Sequence, residues 1–216
     1  MKKDKKIYRC LVIIFAFVFF AGILNGCSGW VKKEHKKEIF ALDTIITFTA
    51  YGGKNAEAAI DNAACRVKEI ENRMSTTIDT SDVSIINRDS GKNPVKVHRD
   101  TFYVIEKAVE YSKKTDGAFD ITIYPIVKLW NIKADSLNIP TNEEIEQKLA
   151  LVDYKNIVMD KNECTVYLKK EGMGIDLGAI AKGYAADEAA RIFTENGVKH
   201  ALINMGGNIV AIGSKP

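Results

Sequence analysis

The stretch of sequence that organises this chain is Gly172-Met173-Gly174-Ile175-Asp176-Leu177-Gly178-Ala179-Ile180-Ala181-Lys182-Gly183. Its glycines allow a tight turn, and the residues that follow predict a helix over 180–195, closed by Asn196-Gly197. A turn that runs into the start of a helix presents free backbone N–H groups, which form a natural cradle for phosphate. Lys182 could neutralise a diphosphate there, and Asp176 could hydrogen-bond a ribose or the edge of a flavin.

The spacing of these glycines does not match a known nucleotide loop. They do not fit Gly-x-Gly-x-x-Gly and no strand leads straight into them, which argues against a dinucleotide fingerprint. A P-loop also fails, because no Lys-Ser or Lys-Thr pair follows. An ordinary glycine-rich turn from a strand into a helix fits the spacing equally well, so both interpretations stay open here.

A second candidate loop, Asp116 to Thr122, follows a predicted helix. Gly117 allows close approach of a ligand to the backbone, Phe119 offers a stacking face and Asp120 offers a carboxylate. The same residues also fit a turn with a solvated aspartate on each side. Two further polar segments are the helix exit Met74-Ser75-Thr76-Thr77 and a loop that we expect around Asn87.

Outward from these loops, strands and helices mix without a regular βαβ rhythm. We therefore predict an α+β fold, with a mixed sheet and packed helices. The remaining predicted elements are a strand over 39–50 that ends at Tyr51-Gly52-Gly53, a helix from about 55 to 74, a helix capped by Asp100, a helix with a capping box at Thr141 and Glu144, two short strands between Ile157 and Leu168, and the strands Ala201 to Asn204 and Ile209 to Ile212.

The first 27 residues have the pattern of a lipoprotein export signal. Five basic residues and one acid precede an apolar run from Cys10 to Leu24, which is shorter than the roughly 20 residues that a membrane-spanning helix needs. Leu24-Asn25-Gly26-Cys27 resembles the bacterial lipobox, whose cysteine is lipidated and becomes the new N-terminus. A transmembrane anchor is the alternative. We expect 1–27 to be a signal peptide, 28–38 a tether and 39–216 one domain.

A lipid on Cys27 would hold that domain at the extracytoplasmic face of a bacterial cell membrane. The signal also explains the charge: the chain has 31 basic and 28 acidic residues, of which 1–27 contain five and one, so 28–216 contain 26 and 27. The resulting net charge of −1 does not favour a nucleic-acid partner. Cys65 and Cys164 lack the spacing of a zinc site, and we expect two separate thiols, although export would permit a disulfide.

Together and in this order, the segments resemble the ApbE family of flavin transferases. The resemblance spans about 39–213. The matching pieces are Leu42-Asp43-Thr44 with Tyr51-Gly52, Met74-Ser75, Ser84 to Asn87, Asp116 to Thr122 with Leu129-Trp130, Ile175 to Gly183 with Asp187, and Asn204 with Gly206-Gly207. The resemblance implies a lipoprotein that binds FAD and Mg²⁺, transfers FMN through a phosphoester bond to a threonine of a partner flavoprotein, and releases AMP. The implied acceptors are subunits of redox complexes at the membrane.

The resemblance also implies roles for single residues. Ala179 would offer its backbone carbonyl to Mg²⁺, and no residue is assigned to catalysis. The residues implied to contact FAD are Leu42, Thr77, Ala118, Phe119, Asp120, Asp176 and Lys182.

Two departures from the family pattern concern the flavin contacts. Many members have Met-Gly-Thr in place of Leu42-Asp43-Thr44, and an aromatic residue in place of Thr77. The family pattern also continues beyond Gly213 with further Mg²⁺ ligands and a catalytic histidine, so we expect the C-terminal part to be missing and this fragment to be inactive without it. An FAD diphosphate hydrolase and a non-catalytic flavin-binding lipoprotein are the alternatives.

Overall fold

The computed structural model describes residues 33–132 and 139–216. These residues form a four-stranded sheet, a three-stranded sheet and the helices that pack with them. Residues Glu34–Lys215 form one compact unit. The elements are β1 (Glu34–Ala41), β2 (Thr44–Tyr51), α1 (Lys54–Met74), α2 (Asp82–Arg88), β3 (Val95–Lys96), α3 (Arg99–Lys114), a 3₁₀ turn (Ile121–Ile123), α4 (Tyr124–Trp130), α5 (Asn142–Leu149), a 3₁₀ turn (Tyr154–Asn156), β4 (Ile157–Asp160), β5 (Thr165–Leu168), α6 (Gly178–Glu195), β6 (Ala201–Met205) and β7 (Asn208–Ile212).

The larger sheet has the strand order β1-β2-β6-β7, and every neighbouring pair is antiparallel. Ile46 near the start of β2 pairs with Met205 at the end of β6. The β1–β2 and β6–β7 turns therefore emerge at the same end of the sheet, which we call the turn end. The two turns touch: a Cβ on Gly206, whose φ is +61°, would overlap the side chain of Thr44.

One face of this sheet packs against α1 and α6. Alternate residues of β2 and β6 are buried on that face, as expected for strands with one covered side; they are Ile46, Phe48, Ala50, Ala201, Ile203 and Met205. The two helices contact each other, and small buried side chains allow a close approach. Eight of their thirteen buried residues are alanines: Ala56, Ala59, Ala63, Ala64, Ala181, Ala185, Ala186 and Ala189. Phe48 and Phe193 close the layer with ring centroids 6.1 Å apart.

The smaller sheet has the order β3-β5-β4 and is also antiparallel. Asp82 of α2 is buried, and its carboxylate accepts hydrogen bonds from the backbone N–H of His98 at 2.9 Å and from Thr101 Oγ1 at 2.6 Å. Since His98 is the N-cap of α3, Asp82 satisfies donors at the start of that helix that would otherwise lack partners.

Arg66 ties three helices together. From α1 it reaches Asp100 of α3 at 2.7 Å and Glu188 of α6 at 2.9 Å, and it donates to the Tyr184 hydroxyl at 3.2 Å. Arg73 adds a second ion pair to Asp100. Burial acts to raise the pKa of Asp100, but its interactions with Arg66 and Arg73 outweigh it and lower that pKa. Burial and the charges of Asp100 and Glu188 raise the pKa of Tyr184 to about 12.

Most of the predicted elements are confirmed. The fold is α+β, α1 and α6 lie where the apolar spacing placed them, and the Thr141–Glu144 capping box starts α5. The paired strands over 157–168 and the β6–β7 hairpin are also present. One detail was wrong: in place of one mixed sheet, the described strands form two antiparallel sheets.

The predicted strand over 39–50 is a hairpin, and residues 34–38 of the predicted tether belong to its first strand. β1 is an edge strand rich in lysine and glutamate, so its sequence looks like a linker. The turn at Leu42-Asp43 was missed because both residues adopt positive φ without being glycine.

Two further predictions were wrong. Asp100 does not cap α3, because the helix already starts at Arg99 and the Asp100 carboxylate binds Arg66 and Arg73. Asn87 lies within α2 and not in a loop, because Ser81 caps that helix by accepting from Ser84 N–H.

Cys65 and Cys164 are both free thiols, as expected. The predicted signal peptide and Cys27 lie outside the described residues. Among the helices that are described, none combines the length and the apolarity needed to cross a bilayer.

Candidate functional site

The loop after α3 turns sharply and brings Phe119 back against the core. Asp116 and Gly117 have φ of +51° and +82°, and Gly117 N–H donates to Ser112 O at 2.8 Å. Phe119 N–H donates to Thr115 Oγ1 at 3.0 Å. As a result Phe119 is half-buried against the core, while Ala118 is exposed. An aromatic edge beside an open backbone suits a planar ligand.

Asp120 holds this loop in place through both oxygens of its carboxylate. Oδ1 accepts from Thr122 N–H at 2.8 Å and from Thr122 Oγ1 at 2.7 Å, which caps the 3₁₀ turn. Oδ2 accepts from Tyr154 N–H at 2.8 Å. The resemblance implies that Asp120 contacts FAD. In the structure its carboxylate accepts three hydrogen bonds that stabilise the loop.

The glycine-rich segment lies between the loop and α2 and has no regular secondary structure over residues 173–177. Asp176 N–H donates to Ile121 O at 2.8 Å, and this bond joins the two candidate loops. On the other side, Ile175 exchanges two hydrogen bonds with the side chain of Asn87. Asp176 Oδ1 then accepts from Gly178 N–H at 2.6 Å, at the first residue of α6.

The N-terminal end of α6 combines a partly capped helix start with a lysine. Its N-cap, Leu177, offers no side-chain acceptor, but Asp176 Oδ1 accepts from Gly178 N–H, and the N–H groups of Ile180 and Ala181 donate to Leu177 O. Lys182 turns back along the helix and donates from Nζ to Gly178 O at 3.2 Å, which adds a full positive charge at the same end. Ala179 in this first turn is exposed.

Leu42 lies at the turn end, to which the start of α6 also belongs. Its N–H donates to Glu71 Oε1 at 2.7 Å in the last part of α1, and its side chain packs on the core. A Cβ on Gly183 of α6 would lie 4.0 Å from Asn208 Nδ2, which places α6 beside the β6–β7 turn. Leu42 and the first turns of α6 therefore share one side of the molecule.

Thr77 follows α1 at that helix's C-terminal end and is exposed. Its N–H donates to Ser75 Oγ at 3.0 Å, and the two hydroxyls lie 2.9 Å apart. The hydrogen bonds of Thr77 are thus local, and they do not tie it to Ala118, Asp120 or Asp176.

The described residues do not form a complete magnesium site. Among them, no group of three or more His, Cys, Asp or Glu side chains is placed to hold a metal ion. Ala179 offers one backbone carbonyl, and Asp176 in the preceding segment offers one carboxylate that already binds Gly178 N–H. Mg²⁺ requires about six oxygen ligands in octahedral geometry, of which substrate phosphates and water supply several.

Two cavities lie away from these loops. One, of about 430 Å³, lies between α3 and β4 and includes Glu106, Val109 and Met159 in its lining. The other, of about 350 Å³, lies at the start of α1 next to Gly52 and Gly197. Neither of these cavities is lined by residues of the joined loops.

Asn87 and Tyr154 are supporting residues whose contacts the sequence did not predict. Asn87 was assigned to a loop, although its spacing from the Ser81 cap places it at the end of α2. Tyr154 contributes a backbone N–H, for which no side-chain signal exists in the sequence.

Comparison with known proteins agrees with the resemblance seen in the motifs. The ApbE family matches residues 42–216. An FAD:protein FMN transferase of Klebsiella pneumoniae is 38% identical over 147 residues, which cover 68% of this chain and 46% of that protein. One of Treponema pallidum is 29% identical over 201 residues, covering 89% of this chain and 56% of that protein.

The crystal structure of the ApbE protein from Thermotoga maritima superimposes with a TM-score of 0.78 at 32% identity, covering 85% of this chain and 60% of that one. The chain spans about half the length of the curated relatives that it matches. With the match over 42–216 and the shared fold, this chain belongs to the ApbE family.

Proposed function

We propose that this protein binds FAD at the joined loops and transfers FMN from it to a threonine side chain of an acceptor protein, releasing AMP. The name shared by the relatives, FAD:protein FMN transferase, supports the reaction. The observation that carries the proposal is the bond from Asp176 N–H to Ile121 O, which brings the loop of Phe119 together with the start of α6.

In this proposal two elements bind different parts of FAD. The start of α6 and Lys182 face the diphosphate, because a helix N-terminus and an ammonium group both favour negative charge. Ala118 and Phe119 face the flavin ring, with Leu42 at the turn end and Thr77 at the end of α1 as further contacts. Asp120 keeps the loop in shape, and Asp176 lies between the two parts.

The transfer breaks the phosphoanhydride bond of FAD and forms one phosphoester bond. The threonine hydroxyl oxygen bonds to the phosphorus that carries the riboflavin portion, and the bond from that phosphorus to the bridging oxygen breaks. The hydroxyl proton is lost, and AMP leaves with the bridging oxygen. Negative charge grows on the leaving phosphate, so a fixed positive charge nearby lowers the barrier.

We also propose that the activity depends on Mg²⁺. When bound, the ion supplies charge neutralisation at the diphosphate. Ala179 O is the one oxygen that we assign to it in this chain. The described residues leave most of its ligands unfilled, and in this proposal phosphate and water supply further ligands.

The proposed acceptor is a flavoprotein subunit of a redox complex in the membrane. The motif at Leu24–Cys27 supports a lipid anchor on Cys27, which would hold the protein at the extracytoplasmic face near such complexes. Metabolic labelling with an alkyne fatty acid tests the anchor. The intact chain should be labelled, and labelling of a Cys27→Ala variant would contradict the assignment.

The reaction is tested by incubating the purified chain with FAD, Mg²⁺ and a threonine-containing acceptor peptide, followed by mass spectrometry. Transferase activity gives a peptide heavier by FMN, with AMP in equal amount, and a Thr→Ala peptide serves as the control. AMP with free FMN would identify a hydrolase instead, and FAD binding without products would fit a flavin-binding protein or an inactive fragment of the transferase. Failure to bind FAD at all would contradict the proposed site.

Lys182→Met tests the assignment of the diphosphate to α6. Loss of a charge at a helix N-terminus should weaken FAD binding about fivefold, measured by quenching of flavin fluorescence. Lys199→Met, in the exposed loop after α6, is the matched control and should leave binding unchanged. Equal effects of the two substitutions would mean that only the overall charge matters.

A further inference from the structure

Asn87 makes a paired contact with the glycine-rich segment. Its Nδ2 donates to Ile175 O at 3.0 Å, and its Oδ1 accepts from Ile175 N–H at 2.7 Å. Ile175 is fully buried, so no water can replace these bonds without opening the structure. The amide of Asn87 therefore acts like the edge of a neighbouring strand for this one residue.

The fit around this contact is tight because of Gly174. A Cβ at Gly174 would overlap the ring of Tyr124 and would lie 3.3 Å from Asn87 Oδ1. Because Gly174 has no side chain, Asn87 of α2 and Tyr124 of α4 can both pack closely against the segment. A side chain here would push the segment away from Asn87.

Helix α2 itself is anchored at the end of α1. Ser81 Oγ donates to Ser75 O at 2.5 Å, and Ser84 Oγ donates to the same carbonyl at 3.3 Å. Asn87 stands one turn further along α2. It therefore connects the segment that carries Asp176 to a fixed point beside Thr77.

We propose that Asn87 is a positioning residue for the flavin site. Hydrogen bonds hold the segment from two sides. The side chain of Asn87 bonds to Ile175, and Ile121 O accepts from Asp176 N–H. Together they fix where the Asp176 carboxylate and the first turn of α6 lie. This proposal rests on the proposed FAD site, since it assigns to Asn87 the alignment of that site and no contact with the ligand.

The test compares Asn87→Leu and Asn87→Asp with the unaltered chain. Leucine keeps the volume and removes both bonds, whereas aspartate keeps the acceptor for Ile175 N–H but sets a carboxylate against Ile175 O. Asn196→Leu is the matched control, because Asn196 also donates to a backbone carbonyl, that of Ile192, at the far end of α6. Amide hydrogen exchange is measured without ligand, and FAD affinity by fluorescence quenching.

For Asn87→Leu we expect faster exchange at residues 174–178 with unchanged protection of α1 and β2. The dissociation constant for FAD should rise about tenfold, at the lower end of the loss seen when a supporting shell is removed from a site. The dissociation constant of Asn87→Asp should lie between those of the unaltered chain and Asn87→Leu. Asn196→Leu should leave FAD affinity unchanged. Gly174→Ala should reproduce the Asn87→Leu result by a different route, even if the leucine variant folds poorly.

Unchanged exchange at 174–178 in Asn87→Leu would overturn the proposal. So would a lower melting temperature with unaltered FAD affinity, which indicates a purely structural role. If the unaltered chain binds no FAD while Asn87→Leu still loosens the segment, the proposed function fails and the link between Asn87 and a flavin site fails with it. That result differs from unchanged exchange, so the two failures are distinguishable.

Discussion

At the scale of single residues, conformational constraint is concentrated at the turn end. Leu42 and Asp43 have φ of +53° and +58°, in the left-handed region that side chains other than glycine and asparagine enter reluctantly. Many ApbE proteins have glycine where this chain has Asp43, in keeping with the backbone that the position demands. The Leu42 contacts to Glu71 and the core hold the turn despite its cost.

Gly206→Ala tests how tightly the two turns pack. The new methyl group would meet Thr44 and would sit at a φ of +61°, so we expect a loss of about 2 kcal/mol in the free energy of unfolding. Gly207→Ala is the control, since its φ is +96° but no atom lies within 4 Å of its Cβ. It should cost about 1 kcal/mol. Urea denaturation measures both, and equal losses would contradict contact between the turns.

At the scale of elements, the site depends on short connections more than on the long helices. The 3₁₀ turn at Ile121–Ile123 and the glycine-rich segment before α6 are joined by one backbone hydrogen bond, from Asp176 N–H to Ile121 O. The carboxylate of Asp120 and the amide of Asn87 stabilise these two elements from outside. The long elements α1, α6 and β2 provide the rigid base on which they rest.

Asp120→Ala should loosen the first of these connections. It leaves Thr122 N–H and Tyr154 N–H without their acceptors, and we expect a loss of about 2 kcal/mol in the free energy of unfolding. Glu163→Ala removes a carboxylate from the exposed β4–β5 turn and should change stability by less than about 0.5 kcal/mol. Thermal unfolding followed by circular dichroism compares them, and a neutral Asp120→Ala would show that its three bonds contribute little.

Sequence reasoning succeeded where the signal is local. The spacing of Ile60, Val67 and Ile70 predicts α1, and Thr141 with Glu144 predicts the start of α5, because both patterns depend on neighbours in the chain. It failed for β1, whose charged residues suit an exposed edge strand, and for Asp100, whose partner Arg66 lies in another helix. Motifs suggested the candidate site residues, but no motif predicts the hydrogen bonds between Asn87 and Ile175, which lie 88 residues apart.

At the scale of the whole molecule, the Arg66 network joins α1, α3 and α6. The Arg66 side chain is 16% exposed, and so is that of Glu188, its partner on α6. The pair is thus shielded from water in part, and removing one member leaves charged groups without compensation. Tyr103 packs beside it, with its ring centroid 5.9 Å from that of Tyr184.

Arg66→Met should therefore destabilise the fold by about 2 kcal/mol, less than for a fully buried pair because water still reaches the site. Arg88→Met is the matched control: its side chain is 62% exposed and pairs with the adjacent Asp89, outside the network. It should cost less than about 1 kcal/mol. Urea midpoints at neutral pH compare the two variants, and similar midpoints would contradict a joining role for Arg66.

The same network predicts how stability depends on pH. In the folded state Arg66 and Arg73 lower the pKa of Asp100 against the effect of burial, and Arg191 together with Arg66 lowers the pKa of Glu188, below ordinary values of 3.8 and 4.5. The unfolded chain therefore binds protons first as the pH falls, so this part of the stability is complete above about pH 5 and is lost below it. Urea midpoints measured from pH 7 to pH 3 should fall, and the fall should be smaller in Arg66→Met. An identical fall of the urea midpoint in both proteins would mean that other titratable groups cause the loss of stability.

The alanine-lined contact between α1 and α6 has a consequence for how this protein can vary. An alanine in a filled contact can change to a larger side chain only by forcing the helices apart, and to glycine only by weakening the helix. The two helices should therefore diverge slowly between species. An engineer who wishes to alter this protein should leave the helix pair untouched.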